Sequence, residues 1–242
     1  MEDRTDNAEK PFLEAEWSNL CIVTYPVPPE ILEERVPEPL ELDTRNGNAF
    51  ASLVAFDFQK TKVWRVGWPG FRSFPEVNLR FYVRHGDRRG VMFIREFVPQ
   101  PFVAWMAGVF FGEPYEALPM ESEVRREDGL ITVDHQWTHG GTIQRLELTA
   151  EEESSPPEES SDAYYFSDHR WGFGRDGDDE TIVYEVQHPL WETHPVTSLD
   201  IDVDWDEVYG HEWDVLRNRD PVSVVLAKGS PVRVFSKEPL AP

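Results

Sequence analysis

The sequence predicts an α+β fold dominated by β-strands. Apolar and polar residues alternate over many short segments, and turn-forming pairs such as Asn46-Gly47 and Gly140-Gly141 separate several of them. Only two or three segments have helical spacing, and all of these are short. Because 40% of the 242 residues are hydrophobic and 13% are aromatic, the chain has enough apolar material for one packed domain of this class.

The chain begins with a polar segment, residues 1–10, which we expect to be a mobile tail in front of a single domain over residues 11–242. A first strand is predicted from 12 to 25. The next segment, PPEILEERVPEPLEL, predicts a short helix, because Pro28 and Pro29 fit a first helical turn and Pro37 ends it. The strand FASLVAFDF follows the turn at Asn46-Gly47.

Residues 76–83, EVNLRFYV, and 91–98, VMFIREFV, predict a β-hairpin around the turn-rich sequence HGDRRG. The second strand has no polar face before its end, where Arg95 and Glu96 lie; its two faces read Val91/Phe93/Arg95 and Met92/Ile94/Glu96. A strand without a solvent-facing side fits a closed barrel, in which the lumen covers one face and outer elements cover the other.

The second half of the chain predicts further strands and one long loop. Pro101 begins a short buried helix that ends near Gly112, and two strands flank Gly140-Gly141 in the segment 129–149. Residues 151–162, EEESSPPEESSD, contain no apolar residue and predict an acidic, solvated loop. A helix or turn is expected near Tyr164, followed by separate strands in TIVYEVQH, PVSVVLA and PVRVF.

The hairpin also predicts the place of a functional site. Its alternating polar positions are Glu76, Asn78, Arg80 and Tyr82. If the sheet is closed, these groups and Arg95 and Glu96 are enclosed, and they need partners because an unpaired buried charge costs several kcal/mol. Two interpretations remain open, namely a structural salt-bridge network and the lining of a ligand site.

The charge distribution excludes some classes of partner. The formal net charge is −23, and the 23 basic residues include only five lysines. Such an acidic surface indicates adaptation to concentrated salt, as in the cytoplasm of a halophile, because molar salt screens the repulsion within the chain; an ordinary acidic protein is the alternative. We expect no binding to nucleic acid or to a membrane, and a cytoplasmic location, since the N-terminus is unlike a signal peptide.

Motifs for metals and nucleophiles are weak or missing. His135 and His139 are four residues apart, but they lie in a segment that looks extended, where this spacing does not converge on one ion. The acidic run 200–214 resembles a calcium loop, but Trp205 and His211 stand at its glycine and glutamate positions. The sequence therefore predicts neither a metal nor another cofactor.

Three stretches carry a resemblance to a known family. They are FRSFPEVNLRFYV (71–83), GVMFIREFVP (90–99) and YFSDHRWGFGRD…YEVQHPLWETHPV (165–196), and they resemble the YqjF-like family, the domain-of-unknown-function family 2071. The matching elements are the Asn78-Leu79-Arg80 strand, Phe166 through Arg170, and His188-Pro189-Leu190-Trp191. The segment 224–235, VVLAKGSPVRVF, is similar to the closing hairpin of that family, and the resemblance covers roughly residues 12–237.

The resemblance implies a fold related to acetoacetate decarboxylase, which is a closed β-barrel with a few short peripheral helices and an internal ligand cavity. Acetoacetate decarboxylase forms a Schiff base through a lysine beside a second lysine. This sequence has no Lys-Lys pair, and Lys228 is the only lysine inside an apolar strand segment. Schiff-base decarboxylation is therefore not expected.

These observations combine into one leading expectation and one alternative. We expect the barrel to bind a small organic molecule that carries a carboxylate or carbonyl group, and possible catalysis would need no cofactor. Glu76 or Glu96 would act as general base and His188 as proton donor. The expected substrate-binding residues are Asn78, Arg80, Tyr82, Arg95 and Arg170. The alternative is a non-catalytic protein that binds or senses a metabolite with the same residues.

Overall fold

The computed structural model describes residues 10–67, 70–111, 114–177 and 180–240. Its strands are β1 Leu13–Val27, β2 Glu41–Leu42, β3 Ala49–Val63, β4 Phe74–His85, β5 Arg88–Val98, β6 Tyr115–Ala117, β7 Met120–Glu127, β8 Leu130–His139, β9 Thr142–Glu151, β10 Trp171–Arg175, β11 Thr181–Gln187, β12 Thr193–His194, β13 Val196–Asp202, β14 Ser223–Val234 and β15 Glu238–Pro239. Its helices are α1 Pro29–Glu33, α2 Pro101–Phe111, α3 Asp162–Ser167 and α4 Trp205–Tyr209, with a 3-10 helix at His211–Leu216. The prediction of a mainly β fold with short helices is confirmed.

The strands form two sheets. The larger sheet has the order β12-β14-β1-β3-β4-β5-β10-β11-β15, and β2 and β6 pair at its margins with β4 and β5. A further pairing joins β11 back to β14, with Val186 opposite Val234 and Gln187 opposite Arg233. The smaller sheet has the order β13-β9-β8-β7 and is antiparallel throughout.

Strand β4 is covered on both faces. Val77, Leu79 and Phe81 belong to the main hydrophobic core, which also contains apolar residues of the smaller sheet and of α4. On the other face Glu76 and Asn78 are almost fully buried as well. Glu76 and Asn78 are therefore enclosed, as expected for this strand if the sheet is closed.

A β-bulge in β5 changes the faces that simple alternation predicts. Leu79 pairs with Arg95 and the next residue, Arg80, pairs with Phe93, so Ile94 has no partner of its own. Glu96 consequently lies on the same face as Phe93, whereas Arg95 lies on the opposite face. In the predicted faces Val91/Phe93/Arg95 and Met92/Ile94/Glu96, the positions of Arg95 and Glu96 were wrong, because the sequence carries no signal for the extra residue. Ile94 packs on the same hydrophobic core as Met92, as predicted.

The C-terminal strand segment also differs from the prediction. PVSVVLA and PVRVF are parts of one continuous strand, β14, and VVLAKGSPVRVF is not a hairpin. Gly229 has φ +86°, and a Cβ atom placed on it would lie 2.0 Å from the Trp17 carbonyl oxygen. The glycine therefore permits close approach of β1 to β14 where β1 is irregular, and it does not reverse the chain.

Other predicted segments follow their expectations to different extents. The helix that begins at Pro101 ends at Phe111, and Gly112 is outside the described residues. The prediction that this helix is buried was wrong, because Phe102 and Trp105 are exposed. Most of 151–162 is exposed, and Ser155 bridges to Thr193. The predicted tail lies outside the described residues except for residue 10. No helix in the described part of the chain is long and apolar enough to span a membrane.

Candidate functional site

A cavity of about 120 Å³ lies against one face of β3, β4 and β5. Its walls are mostly apolar, with Trp17, Phe56, Phe58, Phe74, Phe93 and Trp191 among the lining residues. A compact group of polar side chains shares the cavity, and it comprises Glu76, Asn78, Arg80, Glu96, Tyr115, Ser167, His169, Tyr184 and His188. Five of the eight residues that the sequence singles out are thus brought together.

Glu76 occupies the centre of this polar group. It is 3% exposed, and its two carboxyl oxygens accept hydrogen bonds from Asn78 Nδ2 at 3.0 Å and from the Tyr115 hydroxyl at 3.1 Å. Burial raises the pKa of Glu76 from an ordinary 4.5 to about 7, although the two hydrogen bonds and the nearby Arg80 charge favour the ionised form. Glu76 can therefore change its protonation state near neutral pH.

Arg80 supplies a positive charge beside Glu76. Its Nη2 donates to the Phe166 carbonyl oxygen at 3.2 Å. Within the described part of the chain, the buried Nε of Arg80 and the buried Oδ1 of Asn78 have no hydrogen-bond partner. Because buried polar atoms are normally satisfied, both groups have unused capacity toward a molecule in the cavity.

His188 lines the same cavity and is held by an aromatic stack. Its ring lies on that of Trp191, with centroids 4.0 Å apart and planes 12° from parallel. Nδ1 is 2.9 Å from the Pro189 carbonyl oxygen, and Nε2 is 3.3 Å from the His169 carbonyl oxygen. A neutral imidazole can donate to only one of these acceptors, whereas the protonated ring can donate to both.

Glu96 and Tyr82 take different places around the cavity. Glu96 is 1% exposed, lines the cavity and pairs across the strands with Asn78. Tyr82 lies behind the lining residues, where its hydroxyl shares a hydrogen bond of 2.5 Å with Ser52 Oγ. Ser52 Oγ in turn lies 2.7 Å from Thr24 Oγ1. The Tyr82 hydroxyl is thus engaged in a buried network of its own.

Arg95 and Arg170 are not brought to the cavity. The bulge in β5 turns Arg95 to the other face of the sheet, where its Nη1 donates to the Val208 carbonyl oxygen at 2.6 Å. The Arg170 side chain is 61% exposed and forms an ion pair with Glu185. Arg170 follows the buried His169 directly, and this neighbour, not Arg170, is the residue of the pair that faces the cavity.

Sequence reasoning missed four polar residues that line the cavity, namely Tyr115, Ser167, His169 and Tyr184. Tyr115 reaches Glu76 from β6, a three-residue strand that pairs with β5, and no periodic pattern marks so short an element. His169 lies in the stretch after α3 and is 8% exposed. Burial, together with the positive charges of Arg80 and Arg89, holds the pKa of His169 well below its usual value. His169 is therefore a neutral imidazole at physiological pH.

Neither lysine chemistry nor metal binding finds support among the described residues. No lysine is among the described residues that line the cavity. Lys60 and Lys228 lie at the surface and bind Glu16 and Glu192. No group of three or more described histidine, cysteine, aspartate or glutamate residues is arranged to hold a metal ion.

The fold is shared with several solved structures. An acetoacetate decarboxylase-like enzyme from Sphingomonas wittichii RW1 is similar with a TM-score of 0.67 and 15% identity, over 96% of this chain and 94% of that one. Acetoacetate decarboxylase from Legionella pneumophila is similar with a TM-score of 0.64 and 15% identity, over 99% and 92%. The enduracididine biosynthesis enzyme MppR, solved in complex with pyruvate, is similar with a TM-score of 0.65 and 15% identity, over 98% and 93%. The chain thus has an acetoacetate decarboxylase-like fold.

Sequence similarity assigns the chain to a family. Residues 14–231 match the model of domain-of-unknown-function family 2071, described as an uncharacterized conserved protein, and the chain belongs to this family. The uncharacterized protein YqjF of Bacillus subtilis (strain 168) is 35% identical over 108 residues, which are 44% of this chain. The match spans 45% of that relative's length, so less than half of it is comparable.

Proposed function

We propose that the larger sheet closes into a barrel and that its cavity binds a small organic carboxylate or carbonyl compound. The pairing of β11 with β14 supports closure, because it joins the two ends of the path that runs through β1, β3, β4, β5 and β10. The observation that carries the proposal is the Glu76–Asn78–Arg80 row. These residues line a mostly apolar cavity, and part of the hydrogen-bonding capacity of Asn78 and Arg80 is unused within the described part of the chain.

The cavity volume limits the size of the ligand. At about 120 Å³ it is somewhat smaller than an engineered apolar cavity of about 150 Å³ that holds benzene in another protein. A ligand of roughly six non-hydrogen atoms therefore fits without rearrangement. Nucleotides and sugars are far larger than this, whereas short-chain acids and aldehydes match it.

Arg80 is the group that selects an anion. A guanidinium presents several N–H donors in one plane and matches the geometry of a carboxylate. The mostly apolar lining lowers the local polarity around Arg80, and this strengthens the electrostatic attraction. We therefore assign the carboxylate-binding role to Arg80 and an orienting role to Asn78, whose unpaired Oδ1 can accept a hydrogen bond from a hydroxyl or enol group of the ligand.

Glu76 is the group best suited to proton transfer. A pKa of about 7 leaves a substantial fraction of the carboxyl in each protonation state at neutral pH, as efficient general acid–base catalysis requires. This arrangement fits the removal of a proton next to a carbonyl group. Arg80 assists this step, and His188 or Glu96 acts as a second proton-transferring group. Such a reaction needs no cofactor, and we propose that none is used.

A second candidate is binding without turnover. It is favoured by the absence of lysine from the residues that line the cavity, since the Schiff base of acetoacetate decarboxylase needs one. The same arginine and carboxyl would then hold a metabolite as a sensor does. Turnover of the bound compound separates the two candidates.

The test begins with binding. Pyruvate, propionate and similar short acids are titrated in about 2 M KCl while the thermal midpoint is measured, with Arg80→Ala as the site variant and Arg170→Ala as the exposed control. We expect a saturable rise that Arg80→Ala removes and Arg170→Ala leaves unchanged. Equal binding to both variants would refute the assignment of Arg80. Bound compounds are then followed by NMR, and consumption that Glu76→Gln abolishes while binding persists identifies an enzyme.

We also propose that the protein works in concentrated salt. Its net charge of −23 implies strong internal repulsion in dilute buffer. At about 1 M salt the screening length is only about 3 Å, and most of this repulsion is removed.

A further inference from the structure

His169 has hydrogen-bonding capacity that the described residues do not use. Its ring lines the cavity and is 8% exposed, yet neither ring nitrogen has a hydrogen-bond partner within the described part of the chain. The Phe166 carbonyl oxygen is near enough to favour the protonated ring, but it does not meet hydrogen-bond geometry with either nitrogen. Buried polar side chains are normally paired, so the unpaired ring nitrogens indicate that their hydrogen-bond partner is a molecule bound in the cavity.

The surroundings of His169 define what that partner can be. The ring packs against Tyr82, with centroids 4.9 Å apart, and this contact fixes its position from behind. Arg80 lies close by, because its guanidinium holds the Phe166 carbonyl three residues before His169. Arg80 and Arg89 both disfavour a positive charge on the ring, so the imidazole is neutral and offers one N–H donor and one acceptor. The pair of His169 and Arg80 suits a ligand that carries an uncharged oxygen next to a carboxylate, because the neutral imidazole can donate to the uncharged oxygen while Arg80 binds the carboxylate.

Resting on the proposed function, we propose that His169 donates a hydrogen bond to a carbonyl oxygen of the same molecule whose carboxylate Arg80 binds. The ligand class is then a small oxo acid, and a simple carboxylate without the carbonyl group leaves His169 unpaired. His169 acts as a specificity-determining residue. Leaving a buried polar group unpaired costs about 1–3 kcal/mol, which corresponds to about 5- to 150-fold in affinity.

The experiment compares pyruvate with propionate, which lacks the carbonyl oxygen, by calorimetric titration of the full chain. The wild type is expected to bind pyruvate about 5- to 150-fold more tightly than propionate. His169→Phe keeps an aromatic ring against Tyr82 but removes both nitrogens, and it should bring the ratio of the two affinities close to one while propionate still binds. His211→Phe is the control, because the His211 side chain is 90% exposed, and it should keep the wild-type ratio.

Two amide variants keep the proposal testable if His169→Phe does not fold. His169→Asn places an N–H near the position of Nδ1, and His169→Gln places one near Nε2, so at least one of them should retain part of the preference for pyruvate. A wild-type ratio near one, or a ratio that His169→Phe leaves unchanged, overturns the role of His169 while the binding site stands. If neither acid binds to the wild type, the proposed function itself fails, and this inference fails with it.

Discussion

The buried carboxyl of Glu76 makes a measurable prediction about stability and pH. In the unfolded chain this group ionises with an ordinary pKa of 4.5, whereas in the folded chain its pKa is about 7. Between these two values the folded chain keeps the proton and the unfolded chain has released it. The folded state therefore loses stability as pH rises through this window, and the contribution of Glu76 is constant below and above it.

The size of the effect follows from the two pKa values. Each tenfold change in the ionisation constant is worth about 1.4 kcal/mol, so the whole window corresponds to about 3 kcal/mol. About 2 kcal/mol of this falls between pH 5.5 and pH 8. For a chain of this length that is a change of about 4–8 °C in the thermal midpoint.

The assay is unfolding of the wild type and Glu76→Gln at several pH values between 5.5 and 8, at one fixed KCl concentration. Glutamine keeps the size of the side chain and an acceptor oxygen but does not ionise. The stability difference between wild type and variant should therefore shift by about 2 kcal/mol in favour of the variant as pH rises. Glu41→Gln serves as control, because the Glu41 side chain is 66% exposed, and it should show no such trend. If the stability difference between the wild type and Glu76→Gln stays constant across this pH range, the raised pKa of Glu76 is refuted.

Three other predictions follow from the same structure. Affinity for a short carboxylate should fall by up to about tenfold per pH unit above pH 7, because the ionised Glu76 repels the anion, and Glu76→Gln should remove this dependence in a titration series. The thermal midpoint should rise between low salt and about 2 M KCl, and an unchanged midpoint would contradict the proposed adaptation to salt. Gly229→Ala should destabilise the protein by more than about 2 kcal/mol in chemical unfolding, because the new Cβ would meet the Trp17 carbonyl. The control Gly47→Ala should cost only about 1 kcal/mol, because Gly47 has φ +78° but open space around it. Equal losses of stability in the two variants would argue against the close approach of β1 and β14.

Much of the fold could be predicted from local patterns in the sequence. The alternation in EVNLRFYV, the turn at Gly86-Asp87 and the proline at residue 101 correctly indicated β4, β5 and the start of α2. The burial of the polar face of β4 was expected only on the condition that the sheet closes, because alternation of polar and apolar residues also fits a solvent-facing strand. These features are local, and each depends on a few neighbouring residues.

Features that depend on distant contacts could not be predicted. The β5 bulge that separates Arg95 from Glu96 is set by pairing with β4, and no turn residue marks it. Gly229 was misread as part of a turn, because a glycine that makes room for another strand looks the same in sequence. His169 reaches the cavity through the packing of the segment after α3, so its role emerges only when Arg80 and Tyr82 surround it.

The most direct test of the central claim is a crystal structure of the protein grown near 2 M KCl and soaked with pyruvate. We predict one pyruvate in the cavity, with its carboxylate within hydrogen-bond distance of the Arg80 guanidinium and close to Glu76 and Asn78. A cavity that holds only water at saturating pyruvate, or pyruvate bound solely at another place, would contradict the assignment of this row of residues as a binding site.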